Sequence, residues 1–220
     1  MFVSDIKDQV VDHVSDGEPV GRCEDVLIDL AEKQVVYWRI DLGQKGAYAP
    51  ALIANSAIGV SDGAIAIDLP RATLDKARQD AEALHETAID GVIWPDLITG
   101  PFGYTVSPSG MAAFAGALAG SEEAKPNPRP HNAPDEWIWF ADLQGMALFS
   151  NAGELGPVRD ATITVDSGAL ASLIVEANGS DLAVPAQSLR HMPESGGYLL
   201  ANVNEQGQQA LSPAWKPTAT

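Results

Sequence analysis

The sequence predicts a mainly β fold that contains two small β-barrels, produced by an internal duplication and joined by a helix and a proline-rich linker. The first observation is a repeat. Residues 16–50 and 151–185 share one pattern of turns and apolar residues, 135 positions apart. The second is strand-like alternation within each copy. The third is size, because several short strands in roughly 70 residues hide their edges most simply by closing into a barrel.

Each copy contains a predicted β-hairpin. A short apolar strand, 26–30 in the first copy and 162–165 in the second, is followed by a turn and a longer strand in which apolar and more polar residues alternate. Alternation with a period of two indicates a strand with one buried face. The expected buried positions of the longer strand are Val36, Trp38 and Ile40 in the first copy and Ala171, Leu173 and Val175 in the second.

Three pairs of residues are expected to shape the turns of the repeat when the copies are superposed without a gap. The pairs are Gly21 with Gly156, Asp25 with Asp160, and Pro50 with Pro185. A proline fits the end of a strand because it has no N–H group for the ladder. Each aspartate is expected to accept backbone N–H bonds where its hairpin starts. The alternative is a catalytic role, which would require a partner that perturbs the pKa of the carboxyl group.

Residues 73–136 separate the two copies. Apolar residues three or four apart predict an amphipathic helix over 70–90, with Thr73 as its N-cap, packed across the first barrel. Seven of the fifteen prolines follow within 94–136, and residues 125–131 are expected to form an extended linker. The predicted organisation is a first barrel (1–72), a helix and Pro/Gly-rich insert (73–136), a second barrel (137–205) and a flexible tail (206–220).

The chain is strongly acidic, with 13 basic and 30 acidic residues and a net charge of −17. The charge is spread evenly, at −6, −6 and −5 over residues 1–72, 73–136 and 137–220. Phosphate backbones and anionic lipids repel such a surface, which excludes nucleic-acid binding as a class of function. Residues 1–17 contain acids and no long apolar run, so no signal peptide or transmembrane segment is predicted and we expect a cytoplasmic location.

No catalytic or metal-binding pattern is present in the sequence. The four histidines lie at least 46 residues apart, so no pair has the spacing of two metal ligands on one helix or hairpin. The single cysteine, Cys23, is aligned with Val158, which favours a buried packing role over a nucleophilic one. We therefore expect a protein without enzyme activity, cofactor or metal.

Three of the five tryptophans, Trp94, Trp137 and Trp139, lie at the edges of the predicted barrels. Tryptophan is enriched among the residues that dominate binding energy at interfaces, so these three are candidate anchors for a protein partner. The alternative is that they pack linker against barrel or one barrel against the other, because a tandem repeat buries surface between its halves.

Four segments of the first copy resemble the PRC-barrel family. They are residues 16–21 (DGEPVG), 25–29 (DVLID), 35–41 (VVYWRID) and 67–70 (IDLP), and the second copy resembles the family more weakly at 153–156, Asp160, Ile163 and 184–189. The family is named for the cytoplasmic domain of the photosynthetic reaction-centre H subunit. The resemblance covers residues 1–72 and 137–205, and it implies a small barrel used as an assembly surface, with no shared catalytic residues.

The function expected from the repeat and the resemblance is that of a non-enzymatic scaffold or assembly module that binds another protein in the cytoplasm. One alternative is an accessory factor of a photosynthetic reaction centre or another membrane electron-transfer complex. A second alternative is a protein that binds a small ligand in the groove between the barrels. The partners considered are a protein with a basic surface, a second copy of the chain, and a membrane complex contacted peripherally.

Overall fold

The computed structural model describes residues 1–43, 48–61, 64–86, 97–100, 103–106, 134, 136–177, 179–190 and 197–203. These residues confirm a mainly β fold, in which fourteen strands belong to one hydrogen-bonded sheet. The proline-rich segment 125–131, Trp94 and the tail 206–220 lie outside the described residues.

The first half of the molecule, residues 1–106, contains two helices and eight strands among its described residues. They are α1 (Val3–Ile6), β1 (Val10–His13), β2 (Pro19–Asp29), β3 (Gln34–Asp41), β4 (Pro50–Ala54), a 3-10 turn (Asn55–Ala57), β5 (Ile58–Ser61), β6 (Ala64–Ile67), α2 (Arg71–Glu86), β7 (Leu97–Gly100) and β8 (Gly103–Val106).

The second half, residues 137–203, repeats much of this order. Its elements are β9 (Trp137–Trp139), α3 (Phe140–Leu143), β10 (Ala147–Ser150), β11 (Gly153–Thr164), β12 (Ala169–Ala177), β13 (Ser180–Pro185), a 3-10 turn (Ala186–Ser188) and β14 (Tyr198–Ala201). In both halves a four-residue helix precedes a short strand, a long strand, two further antiparallel strands and a 3-10 turn. The last strand of each set, β6 or β14, then pairs in parallel with the short strand, β1 or β10.

The long hairpins of the two halves have irregularities at matching positions. The β2–β3 register shifts between Cys23 and Asp25 and again between Leu27 and Ile28. The β11–β12 register shifts at the equivalent places, around residues 159 and 171. A bulge adds one residue to a strand and turns the following side chains to the other face. This explains why Val36 is half-buried and Ala171 exposed, although simple alternation predicted both as buried.

The superposition without a gap fails after the hairpins. Pro50 begins β4 opposite Asp41, whereas Pro185 ends β13 opposite Ser172. The residue opposite Tyr37, which is the counterpart of Ser172, is Ala54. The two prolines are therefore not equivalent, because residues 42–49 connect β3 to β4 while only 178 and 179 connect β12 to β13.

Neither half forms a complete ring of paired strands within the described residues, since the main path of the sheet runs from β14 at one end to β5 at the other. The predicted amphipathic helix is present as α2, and it begins after Pro70, so Thr73 lies inside its first turn and is not the N-cap. The sequence prediction contained no strands between helix and linker. The structure has the β7–β8 hairpin there, and β7 pairs in parallel with β4.

Candidate functional site

The two halves meet through equivalent residues at one point of the sheet. Gln34 of β3 is paired with Ala169 of β12, and these two residues are related by the same 135-residue shift as the repeat. On either side, Val35 N donates to Gly168 O at 2.7 Å and Leu170 N donates to Lys33 O at 2.8 Å. Each half thus offers the same backbone groups to the other, which is the form of a two-fold symmetric interface.

The segment before each short helix crosses to the long strand of the other half. Residues before α1 pair with β11, through a bridge between Phe2 and Thr162 and a 2.9 Å bond from Ile163 N to Met1 O. Residues before α3 form β9, which pairs with β2 through Leu27 and Trp139. Each half therefore contributes a segment that pairs with the long strand of the other half. Asp25 and Asp160, the recurring aspartates of the repeat, lie in these long strands.

Asp160 lies at the bulge of β11 and has no exposed surface. Its carboxylate accepts the N–H of Ala161 at 2.8 Å and that of Ser4 at 3.1 Å, and the Ser4 hydroxyl also donates to it. Ser4 belongs to α1, so a buried carboxylate of the second half holds the first helix of the first half. Asp160 lies within a long strand and not, as expected, at the start of a hairpin.

Asp25 occupies the matching bulge of β2 and faces α3. It accepts the N–H of Val26 at 2.8 Å and the N–H of Ala141, at 3.3 and 3.4 Å from its two oxygens. Burial raises the pKa of Asp25 to about 6, against the opposing effect of these hydrogen bonds. The two aspartates therefore make similar contacts across the halves, but Asp25 lacks the hydroxyl donor that Ser4 gives to Asp160.

Gly21 and Gly156 allow two strands to approach closely. A Cβ atom on Gly21 would overlap the carbonyl oxygen of Asp41, and one on Gly156 would overlap that of Glu176, the counterpart of Asp41. Gly156 also has a φ of +135°, which side-chain-bearing residues rarely adopt. Both glycines lie inside long strands, so their role is close backbone packing and not the turn that the sequence suggested.

Trp137 and Trp139 pack β9 onto the outer face of β2 and β3. Trp139 is completely buried and forms a small cluster with Leu27 and Leu52, separate from the main core. The indole N–H of Trp137 donates to Asp29 Oδ2 at 2.9 Å, and its ring lies 5.9 Å from that of Tyr37. Both tryptophans thus join the second half to the first. This is the packing role that was predicted from the sequence as the alternative to binding a protein partner.

A polar cluster on the outer face of the first half was not predicted from the sequence. Arg39 Nε lies 3.1 Å from Glu24 Oε2, Tyr48 donates its hydroxyl to Glu24 at 2.7 Å, and Arg39 donates to the Tyr48 oxygen at 3.1 Å. Burial raises the pKa of Glu24, and Tyr48 and Arg39 oppose that shift. Strand alternation placed Arg39 on a solvated face, yet it is only 9% exposed. Its counterpart in the second half is Ile174, so the cluster belongs to one half only.

The remaining titratable residues of interest have packing roles. His13 is buried, with Nε2 2.8 Å from Leu69 O and Nδ1 3.3 Å from Asp16. Cys23 is buried in the core, and burial raises the pKa of its thiol strongly. Among the described residues, no three or more His, Cys, Asp or Glu side chains are grouped so as to hold a metal ion.

No helix in the described part of the chain combines the length and apolar character needed to cross a bilayer. Comparison of the sequence with family models gave no match, and comparison with curated proteins gave none either.

Proposed function

We propose that the chain is a non-enzymatic assembly module made of two duplicated PRC-type barrel units, which act together as one rigid surface for binding another protein. The observation that carries the proposal is the reciprocal contact between the halves. The same backbone groups meet at Gln34 and Ala169, and the same carboxylate position, Asp25 or Asp160, holds the other half's short helix.

The buried and partly buried polar groups support this proposal. Asp160 and Asp25 use their oxygens on backbone N–H groups, and Glu24 is engaged by Arg39 and Tyr48. A general acid or base must reach a substrate proton within hydrogen-bond distance. Groups committed to contacts inside the protein stabilise its shape, and a fixed shape is what an assembly surface requires because it lowers the ordering cost of binding.

Affinity purification with the full-length chain, followed by reconstitution with the purified candidate partner, tests the proposal. We expect one partner to bind saturably to wild type and to Asp166→Ala, whose side chain is exposed. Asp160→Ala should weaken that binding, because it releases α1 from the second half. The proposal is wrong if no partner binds while the pure chain turns over a metabolite. It is equally wrong if only a metabolite stabilises the chain, by about 2.7 kcal/mol at a hundred times its Kd.

A further inference from the structure

Strand β13 occupies in the second half the position that β4 occupies in the first. Trp38 faces Ile53 across β3 and β4, and its counterpart Leu173 faces Val184 across β12 and β13. Both strands run directly into a 3-10 turn. By this register, Leu182, Ala183 and Val184 of β13 correspond to Ala51, Leu52 and Ile53 of β4.

The two strands differ at the edge that faces away from the hairpin. On β4, the three residues of that set pair in parallel with Leu97, Ile98 and Thr99 of β7. Among the described residues, no strand pairs with the corresponding edge of β13. An unpaired edge presents a row of N–H and C=O groups that can template another strand.

Residues of β13 are less buried than their counterparts in β4, as expected where no described strand covers the edge. Ala51 and Leu52 are 0% and 1% exposed, whereas Leu182 and Ala183 are each partly exposed. The β12–β13 register has no bulge. Leu182, Ala183 and Val184 include no charged residue and no proline, either of which would hinder pairing at an edge. Pro185 lies only at the last position of the strand.

The charges beside β13 indicate what kind of strand would fit. Asp181 lies near the start of the strand and is partly exposed, whereas Glu176 opposite it on β12 is paired with Arg159, and the whole chain carries a charge of −17. A strand added in parallel, as β7 is on β4, would place its N-terminal end beside the Asp181 carboxylate. Opposite charges on neighbouring strands attract, so a basic residue is favoured there.

We infer that the edge of β13 with which no described strand pairs binds an extended segment of a partner protein, in parallel. The segment is three or four uncharged aliphatic or β-branched residues preceded by a lysine or arginine. Its backbone supplies the ladder bonds, and the partly exposed Leu182 and Ala183 receive its apolar side chains. This inference rests on the proposed function and names the kind of partner that the module takes.

A labelled peptide tests the inference directly. The probe is acetyl-Arg-Lys-Leu-Ile-Thr-Gly-amide, which carries the β7 sequence behind two basic residues, and the matched control peptide has Glu-Asp in place of Arg-Lys. We expect saturable binding of the basic peptide, at least tenfold tighter than that of the acidic one, with backbone amide NMR shifts centred on residues 181–184. No shift in that strand at millimolar peptide overturns the inference.

Two variants locate the binding to the edge. Ala183→Lys places a charge on the edge and should weaken peptide binding at least tenfold. Ala171→Lys adds the same charge to an exposed position of β12 and should change it less than twofold. Equal effects of the two variants overturn the inference. So does a dimer of the free chain that Ala183→Lys dissociates, or strong hydrogen-exchange protection of the edge in the free monomer, since a second copy or the chain itself would then cover β13.

Failure of the β13 inference can be distinguished from failure of the proposed assembly role. If Ala183→Lys binds the purified protein partner as well as wild type does, the edge is not the binding site and the assembly role stands. If no protein partner binds either variant, the assembly role itself is wrong.

Discussion

The contact between Ser4 and Asp160 gives the sharpest test of how the halves are held together. Asp160 is fully buried, and its carboxyl oxygens accept two backbone N–H groups and the Ser4 hydroxyl. A hydrogen bond to a carboxylate contributes about 1.5–3 kcal/mol when buried. Ser4 is exposed, so we expect a coupling of about 1 kcal/mol.

The perturbation is a double-mutant cycle of Ser4→Ala and Asp160→Asn, measured by urea unfolding. Ser4→Ala alone should cost about 1 kcal/mol and Asp160→Asn alone about 2 kcal/mol, because asparagine retains one acceptor oxygen and loses the charge. The double variant should lose about 1 kcal/mol less than the sum, because both changes remove the same bond.

The control cycle pairs Ser4→Ala with Asp166→Asn, whose side chain is exposed and makes no contact with α1 in the described hydrogen bonds. That cycle should be additive within about 0.3–0.5 kcal/mol. A Ser4–Asp160 coupling within the same error would refute the reasoning that this carboxylate binds the first helix to the second half.

Three further predictions concern Asp25, Gly156 and Cys23. The pKa of Asp25 is about 6 in the folded protein and near 3.9 in an unfolded chain, so the native state binds the extra proton and stability falls as pH rises from about 4 to 7. In urea unfolding, the free energy of unfolding of Asp25→Asn should rise relative to that of wild type by about 1–3 kcal/mol over that range. A difference that does not change with pH would contradict the raised pKa of Asp25. Gly156→Ala should lower the free energy of unfolding by more than about 2 kcal/mol through its overlap with the Glu176 carbonyl and its positive φ, whereas Gly59→Ala, which has open space, should change it by less than about 1 kcal/mol. Because burial raises the pKa of Cys23, a thiol reagent at pH 8 should label it only at the rate of unfolding; labelling as fast as in urea would show an accessible thiolate.

The β character and the long hairpins followed from local sequence pattern. Alternation around Trp38 and Leu173 identified the strands that form the centre of each half, because a period of two depends only on neighbouring residues. The pattern failed at Val36 and Ala171, where bulges shift the phase. A bulge is set by the partner strand, so a single strand's alternation contains no sign of it.

The site itself could be only half predicted. The recurrence of aspartate at positions 25 and 160 was visible, but the groups it binds, Ala141 and Ser4, lie 116 and 156 residues away and come from the opposite half. Nothing in a local window identifies such partners. The Arg39 cluster was missed for the same reason, since Glu24 and Tyr48 meet Arg39 only when β2, β3 and the chain before β4 are side by side.

The residues at the contact between the two halves match each other, whereas the residues on the outer faces of the halves differ. The groups at the contact are matched: Lys33 and Gly168 both have positive φ, and both long strands have an aspartate at the bulge. The outer faces are not matched, because one half has the Arg39 cluster and the β7–β8 hairpin. A change at the contact affects both halves at once, whereas an outer face can change without affecting the other half. Specific recognition of a partner is expected on the unmatched surfaces. The edge of β13, with which none of the described strands but β12 pairs, is the surface where the first half shows how a strand can be added.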